Sequence, residues 1–265
     1  MAALSKKDKQ GLMLIGAVVL GFAALLALNV KLSDKPDLDN RGCASPIDRK
    51  TVIIIDRSDD TPKQTIHEIV SRVKAFVSDQ AKENELISVF EISGLSRNEL
   101  EPVFSACVPR RDGNDLYENS RKIRKTFEDK FAKPLDDALS RPPVRSDVSP
   151  ISEAVSDVSA SDYLVAPSNR LLIFSDMLQH SDNASLYGCT SASEAIREFR
   201  KRRAGAIERP EFRNTIVELH TIPREGIGEA TVACRNGFWA WFFGDNEGAQ
   251  ASLETKMLPG GAKVP

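Results

Sequence analysis

Apolar and polar residues follow one another along this chain in blocks whose period changes. Residues 11–30, "GLMLIGAVVLGFAALLALNV", carry no charge. Residues 51–55, "TVIII", form a short apolar run that stops at Asp56, as a strand buried on both faces does. Residues 62–82 then space Ile66, Ile69, Val70, Val73 and Val77 for one helix face. "ELISVFEI" (85–92) and "PVFSACV" (102–108) are predicted as a second and third strand. A helix over 116–133 aligns Leu116, Ile123, Phe127 and Phe131, and Pro134 kinks or restarts it. After the loop "RPPVRSDVSP" comes a helix from about Pro150 to Val158. "RLLIFSD" (170–176) is the fourth strand, 192–203 a helix, and "NTIVELHTI" (214–222) the fifth strand. "FWAWFF" (238–243) reads as a final helix laying its aromatics on the sheet, with a strand as the other reading. From Ala249 on, Gly260, Gly261 and Pro265 mark a loose tail.

Strands alternating with helices in this way predict an α/β fold with a doubly wound, mainly parallel sheet and helices on both faces. The expected division is a linker over 31–49, the α/β domain over 50–245 and a flexible tail over 246–265. In such sheets ligands sit outside the carboxyl ends of the strands, near the point where the strand order reverses.

The run 11–30 is about as long as a helix must be to span a bilayer. It is longer than a typical signal-peptide core, and no good cleavage site follows Asn29. It therefore reads as an uncleaved transmembrane helix in contact with membrane lipid, with a cleaved signal peptide as the alternative. Lys6, Lys7 and Lys9 precede it and Lys31, Lys35 and Arg41 follow, so a count of basic residues is level. The tight first cluster favours residues 1–10 on the cytoplasmic side. The main domain then lies outside the cell membrane, in the periplasm if the source is a Gram-negative bacterium.

The 265 residues carry a formal net charge of −2, so no basic footprint for nucleic acid is present. Cys43, Cys107, Cys189 and Cys234 contain no C-x-x-C pair. In an oxidising compartment they allow two disulfides in three connectivities; buried free thiols are the other reading.

Candidate chemistry gathers at strand ends. The first strand runs into Asp56-Arg57-Ser58-Asp59-Asp60, and Thr61-Pro62-x-Gln64 follows as a capping-box pattern. The cap has no use for Asp56, Ser58 or Asp60. The fourth strand ends in Ser175-Asp176, and Ser149-Pro150 between them is a second helix start, with serine as cap. Carboxylates and hydroxyls meeting at one sheet edge are what a hard cation such as Mg²⁺ prefers. Arg57 is the alternative offset for carboxylates brought close together.

These residues resemble the metal-ion-dependent adhesion site of the von Willebrand factor A-like family, a Rossmann-like fold. Asp56 and Ser58 match the first two positions of its D-x-S-x-S motif, and Asp60 stands where the family has the second serine. Ser149 in "SPISEAV" is similar to the family's loop threonine, and Asp176 in "LLIFSDM" to its later aspartate. The resemblance covers roughly 50–245. It implies Mg²⁺ or a similar divalent cation held by Asp56, Ser58, Asp60, Ser149 and Asp176. It also implies a protein partner whose acidic group completes the metal's shell. The expectation is a membrane-anchored, extracytoplasmic binding module and no enzyme. The Asp60 departure leaves a degenerate, metal-free site as the alternative.

Two other functions stay in view: a metal-dependent hydrolase or phosphatase, and a structural subunit of an envelope complex with a dead site. Phosphoaspartate chemistry asks for D-x-D after a strand, and Ser58 holds the place of the second acid. Of His67, His180 and His220, only His180 is expected near the site, as a bystander. "RKRR" (200–203) complements a helix C-terminus, and "SASE" (191–194) is a capping box.

Overall fold

The computed structural model describes residues 6–32, 37–92, 101–114, 118–203, 209–244 and 252–258. The chain divides into two compact units, Met1–Asp37 and Leu38–Pro265. Among its described residues the first holds the helix α1 (Lys6–Leu32). Its apolar side chains Met13, Leu14, Ile15, Val18, Val19, Leu20, Phe22 and Leu25 are all exposed. Among the described residues no helix is long and apolar enough to cross a membrane. The side chains of residues 12 and 26–30 lie outside the described ones, so the expected span over 11–30 is covered only in part.

The second unit is an α/β domain. Its strands are β1 (Arg49–Asp56), β2 (Leu86–Ile92), β3 (Phe104–Cys107), β4 (Ser168–Ser175), β5 (Thr215–Thr221) and β6 (Ser252–Met257). They form one sheet in the order β3-β2-β1-β4-β5-β6. All pairs are parallel except β2–β3. The helices are α2 (Lys63–Asp79), α3 (Ser120–Phe127), α4 (Lys133–Leu139), α5 (Ile151–Ala160), α6 (Ala192–Arg202) and α7 (Glu229–Phe243). A π-turn, Glu128–Ala132, joins α3 to α4, and Pro134 sits in the first turn of α4. Proline has no N–H for the ladder, so the expected helix is restarted there.

The two-sided burial of β1 follows from its period of two. Val52 and Ile54 face a core built with Ile151, Val155, Phe199, Phe238 and Phe242. Ile53 and Ile55 face the other, with Ile69, Val73, Phe131 and Leu139. Burying each such side chain is worth roughly 1.5–3 kcal/mol, so slipping β1 by one residue would exchange its two cores. The "FWAWFF" segment is helical within α7 and buries Phe238, Trp239, Phe242 and Phe243. "SASE" caps α6 through the Ser191 side chain, and the basic run closes that helix.

Strand β6 corrects the expectation of a loose tail. Its backbone pairs with β5 from Ile216↔Ser252 to Thr221↔Met257. Six residues bounded by glycine-containing stretches are too few to show a period, and the pairing comes from the open edge of β5. Residues 246–251 and 259–265 of the expected tail lie outside the described residues.

Glu218 on β5 lies between Arg170 of β4 and Lys256 of β6. His220 beside it, then Lys256 and Arg170, hold its carboxyl down to about 2 against the cost of burial. A carboxylate with a depressed folded pKa stabilises the fold above its ordinary value and loses that contribution as pH falls. Stability is therefore expected to drop as pH goes from 4.5 towards 2, and Glu218→Gln to flatten that drop. Urea midpoints across this range measure it, and equal slopes in both proteins would refute the assignment.

Both pairs of cysteines are joined, Cys43 to Cys107 and Cys189 to Cys234. The first holds the segment before β1 against β3. Asn84 assists by bonding both the N–H and the carbonyl of Ala44.

Candidate functional site

The strand order reverses between β1 and β4, so a cleft opens at the carboxyl ends of these neighbours. Asp56 is the last residue of β1 and Ser175 the last of β4. Asp56, Ser58, Ser149, Ser175 and Asp176 are all buried, at 7%, 3%, 5%, 0% and 7% exposure.

Asp56 is the centre. One carboxylate oxygen accepts from the Ser58 N–H (3.0 Å) and the Ser58 hydroxyl (2.6 Å). The other accepts from the hydroxyls of Ser149 (3.0 Å) and Ser175 (2.8 Å). Four donors thus satisfy a buried carboxylate, as burial requires. Ser149 spends its hydroxyl here, and α5 begins at Ile151 with Pro150 at the cap and no side-chain cap bond. The expected serine cap is therefore not formed. The same holds for Thr61, because Pro62 occupies the cap position of α2 and the Thr61 hydroxyl turns to the Asp59 carbonyl.

Asp176 follows β4 and faces the same cleft. The Leu178 N–H bonds one of its oxygens at 2.8 Å and Arg224 the other at 2.7 Å. Burial and the nearby charge of Asp56 push its carboxyl above the usual carboxylate range, while the Leu178 N–H and Arg224 pull the other way. The next residue, Met177, has φ 61°, a left-handed backbone that few bulky residues adopt. Two buried donors of α7 hold this turn: Arg235 bonds the Asp176 carbonyl (3.0 Å), and the Trp239 indole bonds the Met177 carbonyl (2.7 Å). The chain then returns to the Ser149 loop, where His180 and Ser149 exchange backbone hydrogen bonds. Glu153, in the first turn of α5, fixes this return by accepting from Ser181, Asn183 and Gln179.

Arg224, just beyond β5, reaches across the cleft. One terminal nitrogen lies 2.7 Å from each of Asp59, Asp176 and the Tyr187 hydroxyl, and the other bonds Asp59 at 3.1 Å. Burial works against its charge, and Asp176 followed by Asp59 more than restores it, so its pKa is raised. Burial, then the charges of Asp176 and Asp59, push the Tyr187 phenol up to about 12. Ser58, Asp59, Asp147, Ser149, His180 and Tyr187 line most of an open cavity of about 260 Å³.

The structure thus brings together four of the five expected metal residues, Asp56, Ser58, Ser149 and Asp176. Asp60 lies apart, turned outward to Arg145 with its side chain 53% exposed. Arg57 is not the offset for the acids. It is buried, donates to the Leu139 carbonyl at 2.6 Å and pairs with Glu91. Arg224 takes that part. Its position after the fifth strand, on the edge where the first and fourth strands also end, was the available signal. Asp59 and Ser175 stood within the quoted strand ends, and Tyr187 had no local motif to mark it.

A cation such as Mg²⁺ needs several oxygens free to face it. Here the carboxylate of Asp176 is engaged by a guanidinium and an amide, and that of Asp56 by four donors. Among the described residues no group of three His, Cys, Asp or Glu is placed to hold a metal ion. With Arg224 in place the donor set does not fit a divalent cation. Nor does Asp56, saturated in this way, offer a free nucleophile.

No family model matches the chain, and no curated protein does. Among solved structures, the human COPII-coat protein Sec24c matches at 8% identity and a TM-score of 0.36. The match covers 79% of this chain and 29% of that one, so the chain spans under a third of its length.

Proposed function

We propose that this chain is a membrane-tethered, extracytoplasmic binding module of von Willebrand factor A-like type, which receives a protein partner at the carboxyl edge of its sheet. The observation that carries the reading is the convergence of the segments after β1 and β4 with the Ser149 loop on one open cavity. The cavity sits where a doubly wound sheet binds its ligands. The rim offers the carboxylates of Asp59 and Asp147 and the exposed ring of Tyr187. These acceptors suit a partner presenting N–H donors better than one presenting an acid. The tether is argued from α1, whose apolar side chains between Met13 and Leu25 are exposed on all its sides. Placement outside the cytoplasm is supported by two disulfides, which persist in oxidising compartments.

Affinity capture from native membranes tests the reading. The partner recovered with the wild-type chain is expected to be lost with Asp147→Lys and with Tyr187→Ala, both rim changes, and to persist in EDTA. A partner recovered equally well with both variants would move the interface elsewhere. Recovery that disappears in EDTA would return a cation to the interface.

A further inference from the structure

The acids of this site carry more negative charge than the hydroxyls around them can offset. Asp56 and Asp176 are both buried, and the charge of Asp56 raises the cost of ionising Asp176. Asp59 adds a third carboxylate at the cavity wall. In other settings a buried cluster of this kind is offset by a bound cation or a captured proton. Here a guanidinium on the chain's own turn after β5 is seated among them, with its side chain 13% exposed. It bonds Asp176 by one nitrogen, Asp59 by two, and the Tyr187 ring lies 5.4 Å beneath it. The planar fork of arginine suits such a two-carboxylate bridge, and its charge is permanent. The Ser58 and Ser149 hydroxyls meanwhile donate to Asp56, which leaves their lone pairs without a role in the bonds described.

We propose that Arg224 is the resident cation of this site: the guanidinium stands in place of a divalent metal, and only its removal turns the cluster into a metal site. The Asp60 departure is then secondary, since Asp60 is turned away to Arg145. Arginine and metal are mutually exclusive occupants, because both need the Asp176 oxygen that Arg224 holds. This rests on no assumption about the protein's partner.

The test is calorimetric addition of MgCl₂ and MnCl₂ to the full chain in detergent, for wild type, Arg224→Gln and Arg224→Gln/Asp56→Asn. Wild type is expected to show no saturable uptake up to roughly 10 mM, above the range of weak extracellular cation sites. Arg224→Gln should bind at least tenfold more tightly than that limit, and the added Asp56→Asn should abolish the gain. Thermal melting gives a second readout: metal should raise the midpoint of Arg224→Gln and leave wild type unmoved. Equal binding by wild type and Arg224→Gln would overturn the proposal, as would a folded Arg224→Gln that takes up neither metal. Should Arg224→Gln fail to fold, Arg224→Met keeps the apolar stem and removes the charge. It should then show a metal-induced shift, and its absence would count against the proposal equally.

Discussion

Opening either disulfide is expected to cost about 4 kcal/mol, the chain-entropy value for closed loops of this size. The bonds close sequence separations of 64 residues for Cys43–Cys107 and 45 for Cys189–Cys234. They act on different parts of the domain. The first fastens the amino-terminal edge of the sheet, since Cys107 pairs opposite Leu86 at the start of β2. The second links the loop before α6 to α7 near the carboxyl edge. For a domain of about 200 residues, 4 kcal/mol corresponds to a fall of roughly 10 °C in the melting midpoint. Cys43→Ser and Cys189→Ser should each show it, and reductant should lower the wild-type midpoint further than either. A midpoint indifferent to reductant would mean that the cysteines are unpaired in solution.

Asp56→Ala is expected to destabilise the domain by about 3 kcal/mol or more. The residue can be weighed two ways. As one of two buried like charges it burdens the fold, and removing it would relieve Asp176. As acceptor of four hydrogen bonds it organises the switch point, and removing it strands the Ser58 amide and three hydroxyls. A buried donor left unsatisfied costs about 1–3 kcal/mol, so the second effect wins even if water rescues some of the donors. Urea unfolding decides the matter. A variant as stable as wild type, or more so, would show that charge repulsion dominates, and that Asp56 is kept for something other than the fold.

The sheet was largely legible because its strands bury both faces. "VIII" and "LLIF" are continuous apolar runs of the kind a strand buried on both faces carries. Strand β6 was not, since an edge strand need not carry such a run. The gathering of Asp56, Ser58, Ser149 and Asp176 followed from strand ends, which a parallel sheet places along one edge. What the local patterns misjudged was the use of each side chain. Thr61 and Ser149 matched helix caps, but prolines beside them took the cap positions, and the Asp56 carboxylate claimed the Ser149 hydroxyl. Arg57 was adjacent in sequence to the acids, yet its side chain points to α4. Arg224, over a hundred and sixty residues away, is adjacent in space. Which cation meets a buried acid is a property of packing, and it has no local spelling.

The Cys189–Cys234 bond has a mechanical consequence. Cys189 lies two residues after Tyr187, in the cavity wall, and Cys234 immediately before Arg235, which grips the turn beneath Asp176. The Tyr187 segment and the turn at Asp176 are therefore joined twice, once through Arg224 and once through sulfur. A cavity framed in this manner behaves as a closed hoop. Its mouth cannot widen by swinging the Tyr187 loop alone, because the displacement is passed to α7 and from there to the left-handed turn at Met177.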